Sequence, residues 1–121
     1  MSQKILVIDD DILTRNMLRS TLTQSGYDVI MASNEEEGIQ KAAEESPRLI
    51  ILDIMMPGMD GADVAGFLKT NAKTENIPVI FLSSLIPERG QETKGKNDVT
   101  TSLSKPYIKD ELLNEVKKYF L

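Results

Sequence analysis

The sequence contains neither cysteine nor histidine. Without cysteine, the chain forms no disulfide and offers no thiolate as a nucleophile or metal ligand. Without histidine, it lacks the commonest general base of enzymes and the commonest ligand of transition metals. The residues left for chemistry are carboxylates, hydroxyls and amines.

Basic charge and long apolar stretches are also scarce. The 14 basic residues are outnumbered by 19 acidic ones and form no stripe, so direct binding of DNA or RNA is not expected. No apolar run approaches the roughly 20 residues that cross a bilayer. The first residues, one lysine, four apolar residues and then three acids, do not form a signal peptide. We therefore expect no membrane association and a cytoplasmic location. The length of 121 residues suits one core, so residues 1–121 are expected to form a single domain.

Short apolar runs alternate with amphipathic segments along the chain. The runs that predict strands are Ile5–Ile8, Tyr27–Ala32, Leu49–Asp53, Pro78–Ser83 and Val99–Ser104. The segments that predict helices are Ile12–Gln24, one capped by Ser33 or Asn34, Ala62–Asn71 and Ile108–Leu121. This alternation favours a parallel five-stranded sheet covered by helices on both faces, an α/β/α sandwich.

Two helical regions carry more specific expectations. Gly26 is expected to stop the first helix. The apolar residues of this helix that we expect near one stripe are Ile12, Leu13, Met17, Leu18 and Leu22. Residues 87–101 should hold a helix between the fourth and fifth strands. Gly90, Gly95 and a shortage of apolar residues predict that it is short, frayed or displaced.

Acidic residues follow two of the predicted strands. Asp9, Asp10 and Asp11 come directly after the first strand, and Asp53 ends the third. The carboxyl ends of parallel strands share one edge of the sheet, where open α/β folds place their binding sites. Carboxylates gathered there repel one another, which is tolerable if a hard cation such as Mg²⁺ lies among them. Asp11 also fits the role of a helix cap.

A hydroxyl and an amine are expected at the same edge. Ser83 ends the fourth strand, and Lys105 follows the fifth. Both groups suit the oxygens of a phosphoryl group, and a carboxylate can act as the nucleophile in phosphoryl transfer. The pattern therefore predicts an anion site beside a cation site, with a reactive aspartate.

These residues resemble the receiver domain of two-component response regulators, over essentially the whole chain. The segment from Asp53 to Gly61 meets the family pattern D-x-x-M-P-x-M-D-G at every fixed position. The separation of Asp53 and Ser83 also fits. The other marks are the acidic cluster after Ile8 and the run Lys105-Pro106-Tyr107.

The resemblance implies a flavodoxin-like fold with strand order 2-1-3-4-5. It implies that Asp53 accepts the phosphoryl group and becomes a 4-aspartyl phosphate. Mg²⁺ would be bound by Asp10, Asp53 and the backbone carbonyl of Met55, with Asp9 acting through water.

The resemblance further implies that Ser83 is the switch hydroxyl. Lys105 would be the amine that pairs with the phosphoryl group, set by a cis bond before Pro106. Ser102 stands where the family often has an aromatic residue, so an aromatic switch is absent. Met55 and Leu85, two positions after Asp53 and Ser83, offer no polar group to place an attacking water. We therefore expect a long-lived phosphoryl group.

The predicted function is that of a phosphorelay switch. Since the chain has no histidine, the phosphohistidine must belong to a sensor histidine kinase or a histidine phosphotransfer protein. A downstream effector protein would read the switched face, and the chain would be a monomer or a weak dimer. It would promote only its own phosphorylation and dephosphorylation. The chain ends directly after the last predicted helix, which fits a complete regulator or a receiver from a longer protein.

Two alternatives remain open. The first is a pseudo-receiver that binds proteins without using phosphate, suggested by the poorly specified residues 87–101. The second is a Mg²⁺-dependent phosphatase of another α/β class. Such enzymes place a general acid two residues after the nucleophile, and Met55 occupies that position.

Overall fold

A computed structural model describes residues 3–53, 61–83, 100–104 and 109–120. Side chains at 53, 61–63, 65, 83 and 100–104 lie outside this description. Within these ranges the strands are β1 (Lys4–Ile8), β2 (Asp28–Ala32), β3 (Leu49–Asp53), β4 (Val79–Ser83) and β5 (Thr100–Ser104). The helices are α1 (Ile12–Gln24), α2 (Glu35–Glu45), α3 (Gly61–Lys69) and α4 (Lys109–Lys117), followed by a 3₁₀ turn at Lys118–Phe120.

The strands form one sheet in the order β2-β1-β3-β4-β5, and each neighbouring pair is parallel. The predicted five-stranded sheet and its flavodoxin-like order are therefore confirmed. Each observed strand begins and ends within one residue of its predicted bounds. The last helix is shorter than predicted and finishes as the 3₁₀ turn.

Alternate strand residues point to opposite faces of the sheet and build two cores. On one face, side chains of α2 and α3 pack on the even-numbered residues of β1 and β3 and the odd-numbered residues of β4. On the other face, α1 and α4 cover the remaining strand residues through Leu18, Leu22, Leu112 and Val116. The predicted three-layer sandwich is thus confirmed.

Helix α1 corrects one prediction. Leu18 and Leu22 are buried, but Ile12, Leu13 and Met17 are 59%, 68% and 56% exposed. At 3.6 residues per turn, Leu22 lies about 40° around the helix from Leu18, whereas the other three lie about 100–140° away. The expectation that all five lie near one stripe was wrong, because they are spread too widely around the helix to meet one sheet.

The chain leaves α1 at Gly26, as predicted. Gly26 has φ +95°, a conformation that glycine adopts without a Cβ penalty. Its N–H donates to the Thr23 carbonyl at 3.0 Å, and the Tyr27 N–H donates to the Leu22 carbonyl at 3.1 Å. These two bonds form a Schellman motif, which satisfies carbonyls that the helix leaves open.

The start of α2 distinguishes the two predicted caps. Asn34 is the cap, and its Oδ1 accepts from the Glu37 N–H at 2.8 Å. The Glu37 carboxylate reaches back and accepts from the Ser33 N–H at 2.9 Å. This bond to the Ser33 backbone lowers the pKa of Glu37, helped by nearby Lys41. Both residues therefore fix the entry into the helix, by different bonds.

The helix predicted between β4 and β5 lies outside the described residues, as do Met55, Leu85, Lys105 and Pro106. In the described ranges, no helix is long and apolar enough to cross a bilayer.

Candidate functional site

The carboxyl ends of three neighbouring strands lie side by side. In β1 and β3, Ile8 lies opposite Leu52. Asp9 and Asp53 are the next residues, so their backbones are level at the edge of the sheet. On the other side of β3, β4 ends at Ser83. The fold therefore brings the backbones of three predicted site residues to one edge, as expected.

Lys105, the last predicted group, is located only through its position in the sequence after β5. Ser83 lies opposite Ser104 in the register of β4 and β5, and Lys105 is the next residue in the chain. Ser102, at the position expected for an aromatic switch, lies opposite Phe81. The placements of Lys105 and of the Met55 carbonyl stay predictions.

Asp9 is held from three directions. The residue is only 1% exposed. Its N–H donates to the Ala32 carbonyl at 3.1 Å, and its Oδ1 accepts from the Asp11 N–H at 2.9 Å. Its backbone carbonyl accepts from Nη1 of Arg15 at 2.7 Å. Asp9 is therefore a fixed part of the strand end.

The two following acids have different surroundings. Asp11 caps α1: its carboxylate accepts from the Leu13 N–H at 3.2 Å and from the Thr14 hydroxyl at 2.7 Å. This confirms the predicted cap. Asp10 is exposed at the turn between the buried Asp9 and the capping Asp11. Asp10 and Asp11 are both exposed, but the Asp11 carboxylate is engaged by the start of α1.

Arg15 belongs to the same edge of the sheet, and the sequence predicted no role for it. Arg15 is half-buried, and its guanidinium bonds a backbone carbonyl of the acidic turn, residues 9–11, instead of a carboxylate. The only signal in the sequence was a basic residue one turn after the helix cap. That signal gives no indication of which backbone carbonyl the side chain reaches.

The chemistry of the donor set fits a hard divalent cation. Mg²⁺ takes oxygen ligands and is usually bound by one or two carboxylates. Asp9 and Asp10 supply adjacent carboxylates beside the end of β3. Among the side chains that the structure describes, no three His, Cys, Asp or Glu residues gather into a metal site. The Asp53 side chain and Met55, both predicted ligands, are not among them.

The fold and its acidic edge are those of a flavodoxin-like signalling domain. The family of response regulator receiver domains matches residues 5–117, and the chain belongs to this family. Protein PilG of Pseudomonas aeruginosa is 36% identical over 119 residues, covering 96% of this chain and 86% of PilG.

Two further matches show both the spread and the fold of the family. The alkaline phosphatase synthesis transcriptional regulatory protein PhoP of Bacillus subtilis is 35% identical, over 97% of this chain but only 48% of PhoP. The structure of the Vibrio cholerae chemotaxis protein CheY4 has a TM-score of 0.86 and 29% identity, covering 98% of this chain and 99% of CheY4.

Membership confirms the predicted receiver domain and its phosphoacceptor function in two-component signalling. The family transmits signals, generally binds Mg²⁺ for phosphorylation, and interacts with histidine kinases and downstream effectors.

Proposed function

We propose that Asp53 accepts the phosphoryl group from a phosphohistidine of a sensor histidine kinase or a histidine phosphotransfer protein. A carboxylate oxygen of Asp53 attacks phosphorus, the phosphorus–nitrogen bond breaks, and the imidazole takes up a proton. The observation that supports this most is the register of β1 and β3, which sets Asp53 level with Asp9 and one residue from Asp10. The backbones of the proposed acceptor and of two further acids therefore meet at one edge.

Mg²⁺ would be held by Asp10, Asp53 and the Met55 carbonyl, with Asp9 acting through water. The bound ion would supply positive charge to the phosphoryl oxygens as they pass between donor and acceptor. The exposure of Asp10 suits a direct ligand, and the burial of Asp9 suits a supporting role.

Ser83 and Lys105 would bind the phosphoryl group after transfer. The end of β4 at Ser83, next to β3, supports contact between its hydroxyl and a group on Asp53. Lys105 follows Ser104, the register partner of Ser83, and its ammonium would balance the added charge. Ser83 would then switch the output face without an aromatic partner. Because Met55 and Leu85 cannot place a water, hydrolysis would be slow.

The phosphodonor would approach beside α1. Ile12, Leu13 and Met17 are exposed apolar side chains next to the acidic turn, and contiguous exposed apolar surface is typical of protein contacts. Leu13→Ser is expected to slow transfer from a phosphotransfer protein while leaving labelling by acetyl phosphate unchanged. An equal loss with both donors would point to damage of the site.

The remaining features of the proposal concern the chain as a whole. Residues 1–121 would act as one receiver domain in the cytoplasm, as a monomer or weak dimer. The chain would promote its own phosphorylation and dephosphorylation and turn over no separate substrate. An effector protein would read its phosphorylated state.

Labelling by acetyl phosphate with Mg²⁺ tests the acceptor. Asp53→Asn should abolish the gain of one phosphoryl group measured by intact mass. Asp28→Asn is the matched control, since it removes the same charge at an exposed position where β2 begins, on the opposite edge. Labelling that survives Asp53→Asn would refute the assignment.

The same preparations separate the alternatives. A wild-type chain that shows neither labelling nor amide shifts with beryllofluoride and Mg²⁺ would be a pseudo-receiver. Sustained turnover of a model phosphate ester would favour a phosphatase. Acid-quenched decay measures the lifetime of the phosphoryl group, and loss within seconds would contradict the expected slow hydrolysis.

A further inference from the structure

The Asp9 carbonyl lies just beyond the ladder between β1 and β2. The last register pair of these strands is Ile8 with Ala32, and the Asp9 N–H makes the final backbone bond to Ala32. The Asp9 carbonyl accepts instead from the Arg15 guanidinium at 2.7 Å. A side chain of α1 thus takes the place that a backbone donor would have in a longer strand.

This carbonyl belongs to the peptide unit that joins Asp9 to Asp10. Because a peptide unit is planar, fixing the direction of its oxygen also fixes where the Asp10 nitrogen and Cα lie. The Asp11 N–H bonds the Asp9 carboxylate at 2.9 Å and closes the turn from the other side. The backbone of Asp10 is therefore set between two restrained residues.

We propose that Arg15 is a positioning residue for the divalent-cation site, holding the Asp9–Asp10 peptide so that the Asp10 carboxylate is directed for metal binding. This inference rests on the proposed function of the acidic edge. Arginine suits the task because its guanidinium is planar, always charged and rigid. The charge strengthens its bond to a carbonyl, and the half-buried setting limits competition by water.

The two effects of Arg15 on a bound cation have opposite signs. Its positive charge repels a nearby divalent ion, so removing the charge alone would tighten binding. Loss of the hydrogen bond loosens the peptide that carries Asp10, so removing the bond would weaken binding. The proposal requires the second effect to dominate, and the sign of the change in affinity decides between them.

The test is the Mg²⁺ dissociation constant of the unphosphorylated protein, measured from backbone amide shifts of the acidic turn. Arg15→Met is expected to weaken binding roughly tenfold, the usual loss when a group that orients a metal ligand is removed. Arg15→Lys keeps the charge but not the planar fork, and is expected to weaken binding by a smaller factor. Unchanged or tighter binding in Arg15→Met would overturn the proposal.

Arg19→Met is the matched control. It removes the same charge from the same helix one turn further on, where the side chain is exposed, and should leave the dissociation constant unchanged. Should Arg15→Met fail to fold, Arg15→Lys decides, because a charge effect alone predicts unchanged affinity there. Wild-type protein that shows no Mg²⁺-dependent shifts would overturn the proposed metal site together with this inference. Tight wild-type binding with no effect at Arg15 would overturn the inference alone.

Discussion

The two edges of the sheet use different means to hold the chain together. At the carboxyl edge, acidic residues are fixed by polar bonds between side chain and backbone, such as Arg15 to Asp9. At the amino edge, Tyr27 and Phe120 pack with ring centroids 4.9 Å apart, and the Arg48 guanidinium lies 5.3 Å from the Phe120 ring centroid. The carboxyl edge holds acidic residues that repel one another at the proposed site, and the amino edge joins the ends of helices and strands through aromatic contacts.

This difference indicates that residues at the amino edge can be substituted to change stability without disturbing the site at the carboxyl edge. The amino edge also has an ion pair of Lys4 and Glu45 at 2.9 Å, but both side chains are partly solvated, and such pairs contribute little. The aromatic contacts with Tyr27 link the 3₁₀ turn after α4 to the start of β2. Substitutions there should change the free energy of unfolding and leave phosphorylation intact.

The largest expected effect is in the core near the amino edge. Leu22 is fully buried and is part of the Schellman motif that ends α1. Leu22→Ala should lower the free energy of unfolding by roughly 2–5 kcal/mol in urea titrations, from lost burial and the cavity left behind. Acetyl phosphate labelling of the folded fraction should match wild type. A folded variant that no longer labels would contradict the proposal that the amino edge affects stability without affecting phosphorylation.

The aromatic cluster gives the next effect. Phe120 is half-buried, so Phe120→Ala should destabilise by about 2 kcal/mol, roughly half the cost at a fully buried phenylalanine. Phe67→Ala is the control, because Phe67 is 59% exposed and its loss should stay within about 0.5 kcal/mol. Equal effects of the two substitutions in thermal or urea unfolding would contradict the role given to the cluster.

Substitution of Asp11 tests whether all three acids that follow β1 bind the proposed metal. As a helix cap, Asp11→Ala should cost about 1 kcal/mol, whereas Asp11→Asn should cost much less, since asparagine caps about as well. The Mg²⁺ dissociation constant should respond to Asp10→Asn far more than to Asp11→Asn. A large loss of metal binding in Asp11→Asn would mean that this residue is a ligand as well.

The smallest effect concerns Glu37 at the carboxyl-edge start of α2. Its pKa is lowered, chiefly by the bond from the Ser33 N–H, so its stabilisation is present above the unfolded pKa of about 4.3 and is lost as the pH falls through the folded value. The side chain is 39% exposed, so screening limits the effect to a few tenths of a kcal/mol. Urea midpoints of wild type and Glu37→Gln should differ at pH 7 and converge near pH 3.

Glu36→Gln provides the comparison for that small difference. Glu36 lies in the same helical turn and is exposed. Its substitution should give a pH dependence close to that of wild type. If both variants behaved alike, the general charge of the first turn would account for the effect instead of the bond to Ser33.

The sequence predicted the sheet well because strand and site share one signal. Runs of branched apolar residues that stop at an acid or a serine gave both the strand bounds and the common edge. It could not separate a buried Asp9 from an exposed Asp10, because turn geometry makes that distinction. Helix α1 differs from its prediction for a related reason: its apolar residues point in several directions around the helix axis, and only Leu18 and Leu22 face the sheet. The contact of Arg15 depends on where a strand stops pairing, which no local pattern encodes.

A single bond on the outer strand has a consequence for how molecules associate. The strand β2 is at the border of the sheet, and its Ala32 carbonyl is used by Asp9, so the carbonyl of the preceding Met31 faces away from β1. Lys41 Nζ donates to that carbonyl at 2.8 Å. A foreign strand adding to this border would have to displace the ammonium and meet its charge. Lys41 thus protects the border against intermolecular strand addition and against the aggregation that can follow from it.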